Sequence, residues 1–559
     1  MNSIPTHQLS HSRSARTLLF LLGLAFSLYL FFQPEVDSGF RFLYGDYFDT
    51  EIETAILEHW HHVFFGIQRW TETGYFFPYK GTLGYNDGYF IFGVIYSAFR
   101  SINVDPFVST SLTHIVVKAL GYVGMFLMLR RFRLSFAASL VGAILFTIAG
   151  NSNNQMAHGQ LLSIAFAPIA VITMVNCRNA LVLVDFLKLT LHGFLFAAVF
   201  GTWMLTAYYT AWFFAFFCTV LGAISFIYAR RSEVTKAFFS TLSRAWKPIL
   251  ICGAMAIILL TPFFIVYLPK ARETGMHEVG AAVAYALSPI DLFNVGNRNI
   301  AWSRFFNVLH EFVSPDIPAD GEHVTGFPVI LIILVVISGA YYKAEKTERF
   351  ETNKFMFCVS LTVFFTWIAV VKFGSFSPWR ILFFITPGAK GLRVISRYQI
   401  FLSIPIILIV MSYLDRLRAR VPQVLVSLLA LALIAESVYR PQPLSLDAAQ
   451  QRATLAAIPP VPASCQSFFV ITARAKPLVG DARTLALYPH NVDAMLLAAY
   501  FQVPTINGFS TFNPADWNFA DSEKADYVLR VKTYVERHKL QQVCSLDATR
   551  SEKWNLHPF

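Results

Sequence analysis

Apolar runs long enough to cross a bilayer recur along the first 440 residues of this 559-residue chain, and they limit what it can fold into. Inside hydrocarbon every backbone polar group needs an internal partner, so such runs must become helices. Candidate spans lie at 17–32, 107–129, 134–150, 160–176, 184–202, 210–229, 248–268, 326–342, 354–371, 391–414 and 421–438, about eleven in all. Only 14% of residues are charged, against about 25% in a soluble domain, and mean hydropathy is +0.51. The run at 17–32 follows Arg13 and Arg16 and precedes Gln33-Pro34-Glu35 with no small-residue cleavage site. It reads as an uncleaved first span.

Charge orients these spans. A formal net charge of +11 invites a nucleic-acid partner, but there is no zinc-finger spacing and no arginine-rich tail, so none is expected. The positive charge sits in short loops between apolar runs. With the N-terminus inside, the inner loops collect Arg130, Arg131 and Arg133; Arg230, Arg231 and Lys236; Lys343, Lys346 and Arg349; and Arg416, Arg418 and Arg420. The loop 33–106 is then outer, with ten acidic residues against four Lys or Arg. A second long outer loop covers 269–325. The apolar stretches 88–99 and 379–387 are too short to span and read as re-entrant or interfacial pieces. Backbone at membrane depth must be sheltered, so two such pieces imply an outward-facing cavity.

After 440 the character changes. Pro441, Pro443, Pro459, Pro460 and Pro462 mark a linker, Ser467–Thr472 is a strand-length run, and helices are expected at 489–502 and 522–540. The expected fold is an α-helical polytopic membrane protein (residues 1–439) carrying a small α/β domain (440–559), which an odd number of spans puts outside. Cys465 and Cys544 fall in that domain and either pair or stay free thiols. Cys177, Cys218, Cys252 and Cys358 read as small core residues.

Four stretches could carry chemistry. The first, Tyr44-Gly-Asp-Tyr-Phe-Asp-Thr-Glu-Ile-Glu, opens an amphipathic helix with Ile52, Ile56, Leu57 and Trp60 on one face. Asp49 reads either as a helix cap or as a catalytic group; Asp46 has no capping role at this level. Either carboxylate could act as general base toward an acceptor hydroxyl or ligate a divalent cation. The second is the aromatic turn Phe76–Gly88, whose Asn86 and Asp87 suit sugar hydroxyls, or which belongs to an interfacial aromatic belt. The third, Asn151–Gln160, offers His158 and Gln160 as substrate contacts. In the fourth, Arg393 and Arg397 stand at i and i+4, on one helix face, either clamping a lipid phosphate or snorkelling to headgroups. No phosphate-binding loop or nucleotide fingerprint is present.

These residues resemble the membrane-embedded GT-C glycosyltransferases: an acidic motif just past the first span, a long first outer loop with a re-entrant helix, and a basic end to the next span. GDYFD…LEHW, FFPYKGTLGYNDG, HGQLLSIAFAPIA and GLRVISRY are similar to a bacterial branch labelled RgtA/B/C/D-like or YfhO-like, over roughly residues 15–415. The resemblance implies transfer of a sugar from a polyprenyl-phosphate-linked donor to a periplasmic glycan, lipid or cell-envelope acceptor, in a bacterial inner membrane. Asp49 or Asp46 would be base or metal ligand, and Arg393 or Arg397 would hold the donor phosphate. Many relatives carry an acidic residue where this chain has His158 and Gln160, so dependence on Mg or Mn stays open. The rivals are a transporter of lipid-linked glycan and a non-catalytic accessory protein. A transporter predicts ionisable groups deep in spans, and the sequence offers His114, Lys118 and His192.

Overall fold

A computed structural model describes residues 6–229, 240–313, 321–345, 350–442, 444–474 and 482–559. Arg230, Arg231, Lys236, Lys346 and Arg349 therefore lie outside the described residues. Among those described, nine helices are long and apolar enough to cross a membrane: Arg13–Asp37, Pro106–Arg131, Phe136–Asn153, Gly159–Val182, Phe186–Thr206, Tyr208–Tyr228, Trp246–Thr274, Thr352–Ala369 and Ile395–Leu417. The other two expected spans form the shorter helices Val329–Ala344 and Gln423–Glu436. At 16 and 14 residues they fall short of the roughly 20 an upright span needs. Eleven apolar runs thus become nine full-length helices and two short ones. The two stretches read as non-spanning are indeed short, forming Phe90–Ser101 and Trp379–Ile385.

Burial orders the bundle. Helix Tyr398–Leu417 is buried along nearly its whole length, so its apolar residues serve packing. Helix Trp246–Thr274 shows Ile257, Ile258, Phe264 and Ile265 at the surface, as a helix facing lipid does.

The C-terminal region is a small α/β domain. Ser467–Thr472 pairs in parallel with Val543–Asp547, which pairs antiparallel with Trp554–His557. Helices Pro489–Phe501 and Tyr527–His538 complete it, close to their expected bounds. A disulfide joins Cys465 to Cys544, resolving the alternative the sequence left open. Phe42–Leu43 pairs antiparallel with Leu446–Asp447, so the linker is stitched to the chain just past the first span.

A buried charge cluster locks this domain onto the segment that follows the first span. The Arg474 side chain is 1% exposed, its Nε 2.5 Å from Asp493 and its Nη2 3.6 Å from Glu51 on helix Asp49–Phe64. Removing one member of a buried ion pair strands the others, typically at about 3–5 kcal/mol. Arg474→Ala is expected to lower the unfolding midpoint and open the domain junction to limited proteolysis; an unchanged cleavage pattern would contradict the lock.

Candidate functional site

The site is built at the head of helix Asp49–Phe64. Gly45 has φ +115°, and a Cβ there would stand 1.8 Å from Thr50 Oγ1, so only glycine permits the turn. That turn folds Asp46 back over the helix end. Asp46 Oδ1 accepts the backbone N–H groups of Phe48 (2.9 Å), Asp49 (2.8 Å) and Thr50 (3.4 Å), while its own N–H donates to Thr50 Oγ1 (2.9 Å). The capping role therefore belongs to Asp46, correcting the reading that gave it to Asp49. The physical reason is the glycine turn, which brings the earlier carboxylate onto the free N–H groups. Burial, with the Asp49 charge next, pushes the Asp46 carboxyl up to about 6 despite these bonds.

Asp49 is thereby free to leave the helix axis. Its Oδ2 lies 2.8 Å from His158 Nδ1, and His158 Nε2 lies 3.2 Å from Glu322 Oε1. Glu322 in turn receives Arg397 through Nε at 2.9 Å and Nη2 at 2.5 Å, a two-pronged contact. Both His158 nitrogens face carboxylate oxygens, which only accept, so both must carry hydrogen and the ring is an imidazolium. Burial and the Arg397 charge push its pKa down, but the hydrogen bonds to Asp49 and Glu322 outweigh them, raising it from 6.5 to about 9. Burial would raise Glu322, yet Arg397 and His158 hold it well below the usual carboxylate range. The result is an alternating chain, Asp49⁻–His158⁺–Glu322⁻–Arg397⁺, drawn from four separate segments.

Further groups surround it. Asp87 Oδ1 accepts the Tyr208 N–H at 3.2 Å, and burial pushes this carboxyl up to about 6 against the pull of that bond, Arg397, His158 and Gln160. Gln160 Oε1 accepts the Tyr89 hydroxyl at 2.8 Å. Asn86 is taken up elsewhere: its Nδ2 donates to Tyr75 Oη (3.1 Å) and the Phe509 carbonyl (3.4 Å). Tyr488 of the C-terminal domain packs against Phe48, ring centroids 5.2 Å apart, and against Phe509 at 4.0 Å. Its phenol pKa is raised by burial and then by Asp49, and lowered by Arg393, so both charges act on it.

Arg393 and Arg397 do not share a helix face. The backbone makes separate 3₁₀ turns at Ala389–Gly391 and Ile395–Arg397 with Leu392 extended between them, and the helix starts only at Tyr398. Pro387-Gly388 and the bonds of Arg393 and Val394 N–H to Tyr209 Oη hold this irregular entry. Arg397 is neutralised by Glu322. The Arg393 guanidinium lies 5.5 Å from the centre of the Tyr285 ring, and no carboxylate pairs with it among the described residues.

Beneath the first carboxylate–histidine pair sits a second. Glu53, one turn after Asp49, places Oε1 2.8 Å from His114 Nε2, both side chains 1% exposed. Gly159 rests directly on this pair: a Cβ there would be 2.2 Å from Glu53 Oε2 and 2.6 Å from His114 Nε2. Gly159→Ala is expected to lift the His158 loop and cost about 1–3 kcal/mol, the usual range for overpacking. Thermal unfolding of the variant checks this; no change in midpoint would mean the loop has room.

Glu322, Glu53, Tyr209 and Tyr488 are site members that sequence reasoning did not single out. Glu53 was within reach, since i and i+4 share a helix face. Glu322 carries no local signal, sitting in a polar loop among other acidic residues. Among the described residues, no three His, Cys, Asp or Glu side chains stand where one cation could take them all.

No protein-family model and no curated protein sequence matches the chain. Among solved structures, the crystal structure of the Archaeoglobus fulgidus oligosaccharyltransferase in complex with Zn and sulfate is similar over 94% of this chain and 67% of that one, with a TM-score of 0.46 and 13% identity. At that identity and TM-score the likeness assigns neither family nor activity, and any functional reading rests on the site residues themselves.

Proposed function

We propose that this protein is a membrane glycosyltransferase of the GT-C type, moving a sugar from a polyprenyl-phosphate-linked donor to a glycan, lipid or cell-envelope polymer on the periplasmic side of the bacterial inner membrane. The observation that carries the reading is a part-exposed carboxylate and an arginine whose charges act on the same tyrosine, Tyr488. Asp49 is a third exposed, its side chain at 34%, and the charges of Asp49 and of Arg393, which has no carboxylate partner among the described residues, both act on Tyr488. A base and a phosphate-binding cation are the two groups this transfer needs. The disulfide supports placing the C-terminal domain in an oxidising compartment.

The reaction is a direct displacement. The acceptor oxygen forms a bond to the anomeric carbon as that carbon's bond to the phosphate oxygen breaks. The electron pair leaves on the lipid phosphate, which Arg393 binds, and the acceptor proton passes to the Asp49 carboxylate. His158⁺ orients that carboxylate, and Glu322 and Arg397 hold His158 in place. Asp87 and Gln160 are placed to take sugar hydroxyls. Asp49, Glu322 and His158 do not suit a divalent cation such as Mg or Mn: both His158 ring nitrogens are turned to carboxylates, and among the described residues no three such groups are placed to share one ion.

The test is direct. Protein in nanodiscs is given radiolabelled polyprenyl-phosphate sugars and an envelope extract, and released polyprenyl phosphate is measured. Arg393→Ala is expected to raise the donor KM about 10- to 100-fold, the value of one charge-assisted phosphate contact. An unchanged KM would remove Arg393 from the phosphate site.

One observation favours the transporter reading. Glu35, Glu53, His114 and Lys118 are all buried in the bundle. Glu35 accepts the Tyr44 N–H at 2.6 Å and the Ser111 hydroxyl at 2.5 Å, and Lys118 reaches Ser152 Oγ at 3.2 Å above the Phe31 ring. Ionisable groups at membrane depth commonly mark ion pathways. Movement of intact lipid-linked sugar across the bilayer, with no polyprenyl phosphate released, would favour transport over transfer.

A further inference from the structure

In helix Ser303–Val313, in the same segment that supplies Glu322, all residues but Leu309 and Val313 fall into three stripes, each spaced i, i+3, i+7. At 3.6 residues per turn each stripe is one face of the helix. Ser303, Phe306 and His310 are buried against the protein. Arg304, Asn307 and Glu311 are exposed and polar. Phe305, Val308 and Phe312 are exposed and apolar, at 47%, 68% and 90%. A helix lying on a protein surface in water has use for two kinds of face; three kinds imply three surroundings.

The level at which the helix lies identifies the third surrounding. Glu436 ends the apolar helix Gln423–Glu436, whose Val424, Leu425, Leu428 and Leu431 are exposed. The same carboxylate accepts the Ile330 and Leu331 N–H groups at 2.9 Å each, at the start of the apolar helix Val329–Ala344. It therefore marks the polar end of two helices whose surfaces suit lipid. Its Oε2 also accepts Trp302 Nε1 at 2.8 Å, and Trp302 directly precedes helix Ser303–Val313. The helix leaves the protein at the rim of the hydrocarbon-facing surface, behind a tryptophan, a residue that favours that boundary.

We propose that helix Ser303–Val313 is an interfacial helix seated in the lipid bilayer, with Phe305, Val308 and Phe312 in the acyl boundary and Arg304, Asn307 and Glu311 in the headgroup water. Trp302 anchors the start of the helix to Glu436, at the ends of two helices with exposed apolar surfaces, which argues for lipid rather than a protein partner. Such a helix ties the segment bearing Glu322 to the membrane surface. The proposal does not depend on the catalytic reading.

The test uses the full chain in phosphatidylethanolamine–phosphatidylglycerol nanodiscs, with Cys177, Cys218, Cys252 and Cys358 changed to Ser and the disulfide kept. Single cysteines at Val308, Phe312, Asn307 and Glu311 carry a spin label, and collisions with oxygen and with a water-soluble nickel chelate are compared. The oxygen-to-nickel ratio is expected to be about threefold or more higher at 308 and 312 than at 307 and 311. Equal ratios on both stripes would place the helix in water and overturn the proposal. Protection of 308 and 312 from both reagents would mean a protein partner covers the stripe, which overturns it too. A fifth cysteine at His310, on the buried side, is the folding control: a misfolded variant would lose the difference in accessibility between positions 310 and 311.

Discussion

Asp49→Asn is expected to reduce sugar transfer by about three orders of magnitude with little change in folding. General base catalysis contributes roughly 10²- to 10⁴-fold, and an amide cannot take the acceptor proton. The folding side follows from position. Asp49 does not cap its helix, its side chain is a third exposed, and Asn keeps one oxygen for His158. Asp46→Ala is expected to do the reverse. It removes the acceptor for three helix N–H groups, costing about 1 kcal/mol, with activity falling only as the helix end loosens. The pair of variants separates the two carboxylates. Transfer surviving in Asp49→Asn while failing in well-folded Asp46→Asn would exchange their roles.

Stability should fall as pH rises from about 6.5 to 9, and His158 should be responsible. Its pKa in the folded protein, about 9, lies above its ordinary 6.5. The fold thus binds this proton more tightly than the unfolded chain does. The stabilisation is fully present below pH 6.5 and is lost as pH rises through 9. A shift of that size corresponds to at most about 3 kcal/mol, reduced by whatever solvent reaches a ring that is one-fifth exposed. Unfolding midpoints in nanodiscs between pH 6 and 9.5 should decline for the wild type and flatten for His158→Gln. A wild-type profile that is flat across this window would mean His158 is neutral and the alternating charge chain is wrong.

Much of the fold was legible because its signals are local. Span-length apolar runs need no tertiary information to become helices, and Phe90–Ser101 could be recognised as too short to cross by counting alone. Ser467–Thr472 declared itself by run length, and Pro489–Phe501 falls within the helix expected at 489–502. The site was legible only in part. Asp46, Asp49, Asp87, His158, Gln160, Arg393 and Arg397 were all named beforehand, but their division of labour was not. Sequence spacing put Arg393 and Arg397 on one helix face, whereas the bonds to Tyr209 hold that stretch out of helix.

By itself the sequence determined that the chain is a bundle of apolar helices with polar segments gathered at its ends and a small domain after residue 440. Hydrocarbon leaves backbone no alternative to helix, so pattern suffices. Only the tertiary structure decided which carboxylate caps and which is free, that His158 is held between Asp49 and Glu322, and that Arg397 is neutralised by Glu322 while Arg393 meets no carboxylate among the described residues. The cap follows from the local Gly45 turn, whereas the other outcomes depend on charges contributed by segments distant in the chain. At a few ångströms in a partly buried site such contacts outweigh any local preference, and they have no signature along the chain.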